Sequence, residues 1–327
     1  RIFKNRSWKI PDLLINPPAR QEPIDPYIEE ELTLLRAVEH CVKYPDVSDN
    51  PNRGRLEQSF MHIIRKFGAH YPVSKIGIPE IKQYRKDRVK EGAAPATANK
   101  EKSALSKMFQ VLVEKGLIAT NPARMVSNLS EKNGEREVYI SREDFNLIVE
   151  RLPEWFRPVA QMAYFTGMRK GEILGLKLGD INLSTRMIYL TAEDTKERRR
   201  KRVPIHRELK PILLQVINGR KNPGELLLVQ NGARFSNGNG RRSWEKAVGQ
   251  LNLKRPPRFH DLRHTWKTNA RRSGMDPEIR EAILGHVWKG KSVSERYGRI
   301  SNEELIQSID RVTFDHGPSE IWVNGIS

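Results

Sequence analysis

The sequence has a single cysteine, no long apolar run and a deficit of acidic residues, and each shortage restricts the kind of protein it encodes. Cys41 has no second cysteine to pair with in the 327 residues, which excludes an internal disulfide and is typical of the reducing cytosol. No apolar run reaches the roughly 20 residues that a membrane-spanning helix needs. The first thirty residues lack the apolar core of a signal peptide. The sequence therefore predicts a cytoplasmic protein without a membrane partner.

The deficit of negative charge indicates the kind of partner. Lys and Arg number 58 against 40 Asp and Glu, a formal net charge of +18, which favours binding to a polyanion such as nucleic acid. The chain is long enough for two domains of ordinary size, each with its own core. An apolar content of 37% with 7% aromatic residues is sufficient for globular folding.

Charge and helix punctuation divide the chain into domains. Residues 1–52 hold seven basic and nine acidic residues, several prolines and one helical pattern, and we interpret them as an N-terminal segment that ends in a helix. Residues 53–128 hold fifteen basic and six acidic residues. Their three helical patterns each end at a glycine, as helices commonly do. We interpret this part as a small helical DNA-binding domain. The remaining predicted parts are a linker at 129–137, a second domain at 138–312 and a tail at 313–327.

The last helix of the first domain has two different faces. Leu105, Met108, Phe109 and Leu112 line its apolar face, and Lys100, Ser103, Lys107 and Gln110 lie on the other. Such a face is explained either by simple solvation of lysines or by contact with a DNA backbone. Lys100 and Lys107 are therefore candidate DNA-binding residues.

The second domain combines helices with a small antiparallel sheet. Residues 187–191 and 202–205 have the β-branched and aromatic composition of paired strands. The charged hairpin between them contains Lys196, and five of the six residues after Lys196 are basic. The sequence predicts a mainly α protein with a small antiparallel β-sheet.

The stretch from Arg258 to Tyr297 concentrates groups suited to phosphate chemistry. His260 and Arg263 share one face if the segment RFHDLRHTWKTNARR is helical. The next helix begins at Asp276-Pro277 and ends at Leu284-Gly285, which places His286 at its C-terminus. Tyr297 follows eleven residues later. Imidazole, guanidinium and phenol groups around a cationic pocket indicate chemistry on a phosphate.

The order of these motifs resembles that of a known family. TGMRKGEIL, a lysine in a β-hairpin, HDLRHT, LGH and a tyrosine follow one another at fitting separations. This pattern resembles the tyrosine recombinase (phage integrase) family over residues 138–312, and the module at 53–128 is similar to that family's core-binding domain. The resemblance implies a two-domain DNA clamp, a core-binding domain plus a catalytic domain. It implies a catalytic set of Arg169, Lys196, His260, Arg263, His286 and the nucleophile Tyr297.

The resemblance also implies a role for each of these residues. The Tyr297 phenol would form a covalent 3′-phosphotyrosine, which conserves the bond energy so that rejoining needs no ATP. Two arginines would grip the nonbridging oxygens bidentately and stay charged throughout. His260 would handle a proton near the tyrosine, Lys196 would protonate the departing 5′ oxygen, and His286 would donate a hydrogen bond to the phosphate.

Further expectations concern the surroundings of this pocket. Glu172, three residues after Arg169, would orient the catalytic groups, although such a pair is commonly an ordinary surface ion pair. Arg258 is expected to contact the DNA backbone. Because arginines and a lysine can replace a metal ion, we expect no metal and no other cofactor. The implied partners are double-stranded DNA, three further copies of the chain in a tetramer that exchanges strands through a Holliday junction, and accessory DNA-bending or excisionase proteins. The protein would then be associated with the nucleoid.

Three alternatives remain at the level of sequence. His260 and His264 are four apart, as in zinc proteases, with His286 as a third ligand, but Arg263 would place a cation beside the metal. A DNA-binding protein with a relic pocket is a second alternative, against which the complete polar set counts. A type IB topoisomerase shares the pocket chemistry. The separate helical domain and the apolar C-terminal tail favour a recombinase.

Overall fold

A computed structural model of the chain divides into two units, Arg1–Glu135 and Arg136–Ser327. Each unit has its own hydrophobic core. None of the helices in the described part of the chain is long and apolar enough to cross a membrane. The residues that the structure describes are 31–50, 53–131, 138–195, 198–230, 232–233, 235, 237–251, 253–286, 300–315 and 317.

The described part of the first unit is helical. Its helices are α1 (Leu34–Val42), α2 (Pro45–Ser48), α3 (Arg53–Phe67), α4 (Ile78–Lys90) and α5 (Pro95–Glu114). The three helices predicted within 53–128 are confirmed as α3, α4 and α5. The glycines that follow them, Gly68, Gly92 and Gly116, have positive φ angles of 97°, 92° and 70°. These glycines end the helices because a residue without a Cβ adopts the left-handed conformation at little cost.

Helix α1 shares its core with the helices that follow it. Leu34, Ala37 and Val38 are fully buried in the same apolar cluster as Leu105 and Met108 of α5. An amphipathic helix is stable in a protein only when its apolar face is covered, and α5 covers this one. The described residues before Asn50 therefore belong to the first unit, although the sequence placed a division after residue 52.

The two faces of α5 are as the sequence predicted, with one difference between the lysines. The four apolar residues of the predicted inner face are buried, and Lys100 and Ser103 are exposed. Lys107 is half-buried, and its Nζ lies 5.8 Å from the centroid of the Tyr44 ring. A cation at this distance is attracted by the ring's negative face. Lys100 is thus the more accessible of the two candidate DNA-binding lysines.

The second unit surrounds a three-stranded antiparallel sheet with helices. Its strands are β1 (Ile181–Asn182), β2 (Met187–Leu190) and β3 (Lys201–Pro204), paired in the order β1-β2-β3. The predicted hairpin is confirmed as β2 and β3, in a register that places Ile188 opposite Val203. The helices are α6 (Arg142–Arg151), α7 (Arg157–Thr166), α8 (Lys170–Gly175), α9 (Leu209–Ile217), α10 (Asn237–Gly249), α11 (Asp261–Arg272), α12 (Pro277–Leu284) and α13 (Asn302–Asp310).

Helix α13 and the residues after it are built into the second unit. Arg186 donates a hydrogen bond to Asp310 over 2.9 Å, which ties the end of α13 to the sheet. Val312 and Phe314 are buried in the same core as the rest of the unit. The first residues of the predicted tail at 313–327 therefore belong to the domain. Residues 318–327 lie outside the described part.

The turn between α7 and α8 depends on Gly167. Its φ angle is +65°, and a Cβ at this position would lie 2.8 Å from the Trp266 ring. We expect Gly167→Ala to lower the free energy of unfolding by about 3 kcal/mol, the sum of overpacking and left-handed strain, measured by chemical denaturation. Gly274→Ala is the control, because Gly274 has a φ of +74° but nothing within 4 Å of the added Cβ. Equal losses in both variants would contradict the role of the Trp266 contact.

Candidate active site

Three chain segments converge on one pocket in the second unit. Arg169 is the N-cap of α8, directly after the Gly167 turn. Arg263 lies in the first turn of α11. Gly285 ends α12 with a φ of 80° and is followed at once by His286. Asp276 caps the start of α12 by accepting hydrogen bonds from two backbone N–H groups, so both predicted ends of this helix are confirmed.

The side chains of Arg169, Arg263 and His286 meet at one atom. The Nη2 of Arg263 lies 3.1 Å from the Nε2 of His286, and the Nη2 of Arg169 lies 3.4 Å from the same nitrogen. The three predicted phosphate-binding groups are thus brought together in the folded chain. Two guanidinium groups this close to one another give the pocket a positive charge that suits an anion.

Arg263 is fixed by the ends of two helices. Its Nη1 donates to the carbonyl oxygen of Gly167 over 2.7 Å, and its Nη2 donates to that of Leu284 over 2.8 Å. The residue is only 6% exposed. Because both carbonyl groups are backbone atoms, the guanidinium is held in one orientation before any ligand arrives, which is the preorganisation that transition-state stabilisation requires.

Arg169 is held by a buried chain of charges. Its Nη1 and backbone N–H both donate to the Glu172 carboxylate, over 2.9 Å and 3.1 Å. The Oε2 atom of that carboxylate, which accepts from the Arg169 backbone N–H, also accepts from Lys201 Nζ over 2.8 Å. The Glu172 and Lys201 side chains are only 3% and 1% exposed. The Arg169–Glu172 ion pair is therefore not an ordinary surface contact, because the buried Glu172 carboxylate holds Arg169 in position.

Burial and charge shift the pKa values of this chain of residues. Burial lowers the pKa of Lys201 to about 8, an effect that Glu172 opposes and that Arg263 and Arg169 reinforce. Burial acts to raise the pKa of Glu172, but Lys201 and Arg169 outweigh it and hold that pKa below its ordinary value. Glu172 is thus ionised at neutral pH, and Lys201 is close to losing its proton in the weakly alkaline range.

Sequence reasoning missed Lys201, although a signal was present. Lys201 lies within the basic run and is also the first residue of β3. Side chains two apart on a strand share a face, so Lys201 points to the same side as the buried Val203. A lysine in phase with a core valine predicts a buried cation, and a buried cation requires an anionic partner.

We expect Lys201→Met to destabilise the protein, because it leaves the Glu172 carboxylate buried without one of its partners. Removing one member of a buried ion pair costs about 3 kcal/mol, measured at pH 7 by chemical denaturation. Adding Glu172→Gln to Lys201→Met should recover part of this loss. Lys177→Met, at an exposed lysine of the same unit, is the control and should cost little.

The lowered pKa of Lys201 determines how the stability lost in Lys201→Met changes with pH. The folded-state pKa of about 8 lies below the ordinary lysine value of about 10.4, so the unfolded chain binds more protons between these two values. The stability of wild type relative to Lys201→Met should therefore rise with pH across this window. If the difference in unfolding free energy between wild type and Lys201→Met did not change with pH, the burial and the lowered pKa of Lys201 would be contradicted.

His286 is positioned by a carboxylate that the sequence did not single out. Its Nδ1 lies 2.7 Å from Glu281 Oε2, and Glu281 Oε1 lies 2.9 Å from Lys267 Nζ. Burial acts to raise the pKa of Glu281, but hydrogen bonds from Lys267 and His286 hold it below its ordinary value. In the sequence, the burial of Glu281 was indicated only by its helical spacing to Leu284, a buried residue three positions further on.

His260 lines a second cavity, to which Arg263 also contributes. A cavity of about 210 Å³ is lined by Met168, Lys170, Phe259, His260 and Arg263. The His260 ring packs edge-on against that of His264, with centroids 5.0 Å apart. Desolvation, His264 and Arg263 together lower the pKa of His260, which favours the neutral imidazole that a proton acceptor needs at neutral pH.

Of the remaining candidates, only Arg258 lies among the described residues. Arg258 is exposed, and its backbone N–H donates to Asp261 over 2.7 Å, which fixes the turn that leads into α11. Lys196 and Tyr297 lie outside the described residues, so their predicted roles stay predictions. Ile300, however, lines the same cavity of about 250 Å³ as Lys201 and His286.

The zinc-site alternative has little support from the geometry. Among the described residues, no group of three or more His, Cys, Asp or Glu side chains is placed to hold a metal ion. The Nε2 of His286 faces two guanidinium groups, which would repel a cation.

Comparison with solved structures assigns the fold. The chain aligns with λ integrase in a tetramer bound to a Holliday junction, with a TM-score of 0.66, 20% identity and 86% of each chain covered. It aligns with the Tn1549 transposon integrase in complex with circular intermediate DNA, with a TM-score of 0.63, 17% identity, and 85% of this chain and 99% of that chain covered. The fold is therefore that of the integrases, with a core-binding and a catalytic domain.

Sequence comparison assigns the family. Residues 139–304 match the model of the phage integrase family. Tyrosine recombinase XerC of Thermodesulfovibrio yellowstonii is 25% identical over 246 residues, which cover 71% of this chain and 80% of that protein. The chain belongs to the phage integrase family, and it is a tyrosine recombinase, an enzyme that breaks and rejoins DNA in site-specific recombination.

Proposed function

We propose that this recombinase holds the scissile phosphate between Arg169, Arg263 and His286 and transfers it to Tyr297 as a 3′-phosphotyrosine. The observation that carries the proposal is the convergence of these three side chains on one atom, within 3.4 Å. Each of them is held by a further hydrogen-bond partner. Glu172 holds Arg169, backbone carbonyl groups hold Arg263, and Glu281 holds His286. Supported donors of this kind stabilise the charge that develops on the nonbridging oxygens during transfer.

The reaction balances without a metal ion or a nucleotide. The Tyr297 oxygen forms a bond to phosphorus and gives up its proton to His260, while the bond from phosphorus to the 5′ oxygen breaks. Lys196 supplies the proton for that leaving oxygen. Attack by a 5′ hydroxyl on the phosphotyrosine reverses these steps and rejoins the strand, and no bond energy is lost to water.

Chain connectivity supports Tyr297 as the nucleophile. Ile300 lines the same cavity as His286, and its carbonyl oxygen accepts a hydrogen bond from Arg202 of β3. Tyr297 precedes Ile300 by three residues in the sequence, and an extended chain spans at most about 3.6 Å per residue. Chain connectivity therefore limits how far the phenol can be from this cavity.

We further propose that four copies of the chain exchange strands through a Holliday junction, as the tetrameric λ integrase complex suggests. Both units would contact the DNA, with Lys100, Lys107 and Arg258 against phosphates. Because these contacts release counterions, binding should weaken steeply with salt.

Covalent capture tests the proposed chemistry. The protein is incubated with a pool of nicked duplexes of randomised sequence, and complexes that survive detergent are isolated and sequenced. A nick lets the short cleaved strand diffuse away, so the covalent intermediate accumulates. We expect a selected DNA sequence attached to the peptide that contains Tyr297, located by mass spectrometry, in buffer containing EDTA.

The same experiment separates the alternatives. Attachment without sequence selection, together with relaxation of supercoiled DNA, would indicate a topoisomerase. Binding without any attachment would indicate a non-catalytic DNA-binding protein. Cleavage that EDTA abolishes would indicate a metal-dependent hydrolase. Each of these results would overturn the proposed function.

A further inference from the structure

The hydrogen bonds of His286 define which of its ring nitrogens carries a proton. Among the described residues, Nε2 contacts two guanidinium nitrogens, and a guanidinium can only donate. Nε2 must therefore accept, which requires that it carry no proton. The partner of Nδ1 is the Glu281 carboxylate, which is ionised at neutral pH and can only accept. The contacts of His286 in the DNA-free protein are thus those of a ring with its proton on Nδ1 and none on Nε2.

This arrangement conflicts with binding a phosphate. The nonbridging oxygens of a phosphodiester accept hydrogen bonds and donate none, so His286 can contact one only through a proton on Nε2. The proton on Nδ1 is already held by Glu281 at 2.7 Å. A neutral ring cannot serve both partners, and the contact requires a second proton on the ring.

We infer that engagement of the scissile phosphate is coupled to uptake of one proton by His286, and that Glu281 is the positioning residue that makes this uptake favourable. The inference rests on the proposed function, since it takes the phosphate to lie between Arg169, Arg263 and His286. When the phosphate enters, the guanidinium hydrogens turn from Nε2 to phosphate oxygens, and Nε2 binds a proton from solvent. The resulting imidazolium lies between two anions, the phosphate and the Glu281 carboxylate.

The charged groups around His286 influence whether its ring takes up a second proton. From α12 it faces Glu281, from α11 Arg263, and from the start of α8 Arg169. Lys267 of α11 reaches it only through Glu281, whose charge it partly neutralises. The neighbouring cavity adds charged groups from the β2–β3 hairpin and from α12, which are Arg199, Arg200, Lys201, Arg202 and Glu278. Most of these groups are cationic, so a bound anion is the change that favours the imidazolium.

Two substitutions should act in opposite directions. Glu281→Gln keeps an oxygen that accepts the Nδ1 proton, so the ring stays in place, but it removes the negative charge that favours the imidazolium. Lys267→Met removes the cation that partly neutralises Glu281. A contact that only held the ring in place would not give opposite shifts of a titration.

Nitrogen NMR of the histidine-labelled protein tests the inference without DNA cleavage. Signals are recorded from pH 5 to 9 in sulfate, which stays a dianion over this range, and in chloride of equal ionic strength, with His286→Gln for assignment. In chloride we expect the Nδ1-protonated neutral tautomer at the alkaline end. Sulfate should raise the pH midpoint of the His286 titration by about one unit, Glu281→Gln should lower it by about one unit, and Lys267→Met should raise it. Glu303→Gln, at an exposed carboxylate of α13, should not move it.

Two results would overturn the inference, an Nε2-protonated neutral ring in chloride, or a midpoint that neither sulfate nor Glu281→Gln moves. Thermal unfolding of each variant checks that the fold is retained. Because this experiment needs no reaction, a failure of covalent capture would refute the proposed function and leave the tautomer result standing. Conversely, covalent capture at Tyr297 with the wrong tautomer would refute the proton coupling alone.

Discussion

Replacing Tyr297 by phenylalanine is expected to abolish covalent attachment to DNA, with no adduct detectable where the wild-type protein gives one, while DNA binding is retained. The substitution removes one hydroxyl oxygen, and phenylalanine has no atom that can bond to phosphorus. The three groups of the proposed phosphate site are held by contacts to Gly167, Glu172, Leu284 and Glu281, none of which involves the phenol. Adduct formation on nicked duplexes is measured in denaturing gels, and binding is measured by gel shift.

Tyr189→Phe is the matched control for this substitution. Tyr189 lies on β2, and its hydroxyl accepts a hydrogen bond from Asn302 over 3.2 Å. Loss of such an exposed hydrogen bond costs at most about 1 kcal/mol and should leave adduct formation unchanged. Attachment that persists in Tyr297→Phe, or that disappears only in Tyr189→Phe, would show that another residue is the nucleophile.

Arg263→Lys should reduce the rate of DNA cleavage by about 10²–10³, although the positive charge is kept. Lysine cannot reproduce the planar fork with which a guanidinium binds two acceptors at once. Arg263 already donates to the Gly167 and Leu284 carbonyl groups and also contacts His286. An ammonium group on a flexible stem cannot keep this geometry and grip a phosphate. Single-turnover cleavage of a nicked duplex measures the effect.

Stability has to be measured alongside the rate, because the same substitution disturbs two buried carbonyl groups. A hydrogen bond lost from a buried acceptor costs about 1–3 kcal/mol, which should lower the unfolding temperature without unfolding the protein. Arg311→Lys is the control, since Arg311 is exposed directly after α13 and the side chain keeps its charge in the variant. If the two variants cleave at equal rates, Arg263 does not act on the phosphate.

The local features of the fold follow from the sequence because they depend on neighbours in the chain. Asp276 and Gly285 mark the two ends of α12, and Ser301 with Glu304 forms the capping box that starts α13. These signals act over a few residues, so a linear pattern contains all of them. The separation into two units was equally predictable, since the polar linker near residue 130 lies at the boundary between them.

The sequence predicts the phosphate-binding residues from the order of motifs along the chain, and this order identified the family. It did not reveal what supports them. Glu172 and Lys201 are 29 residues apart, and Arg263 and the Gly167 carbonyl group are 96 residues apart. Contacts between such distant positions depend on how helices and strands pack, which no periodicity encodes.

Sequence alone therefore determined the helices, the hairpin and the two units, since these follow from caps, spacing and composition, and it predicts the reacting groups through the family resemblance. Only the tertiary structure decided that Arg169 is hydrogen-bonded to a buried Glu172–Lys201 pair and that His286 is hydrogen-bonded to Glu281. The physical reason is burial. A charge that is harmless on the surface needs a partner once the fold removes it from water, and the identity of that partner is fixed by packing.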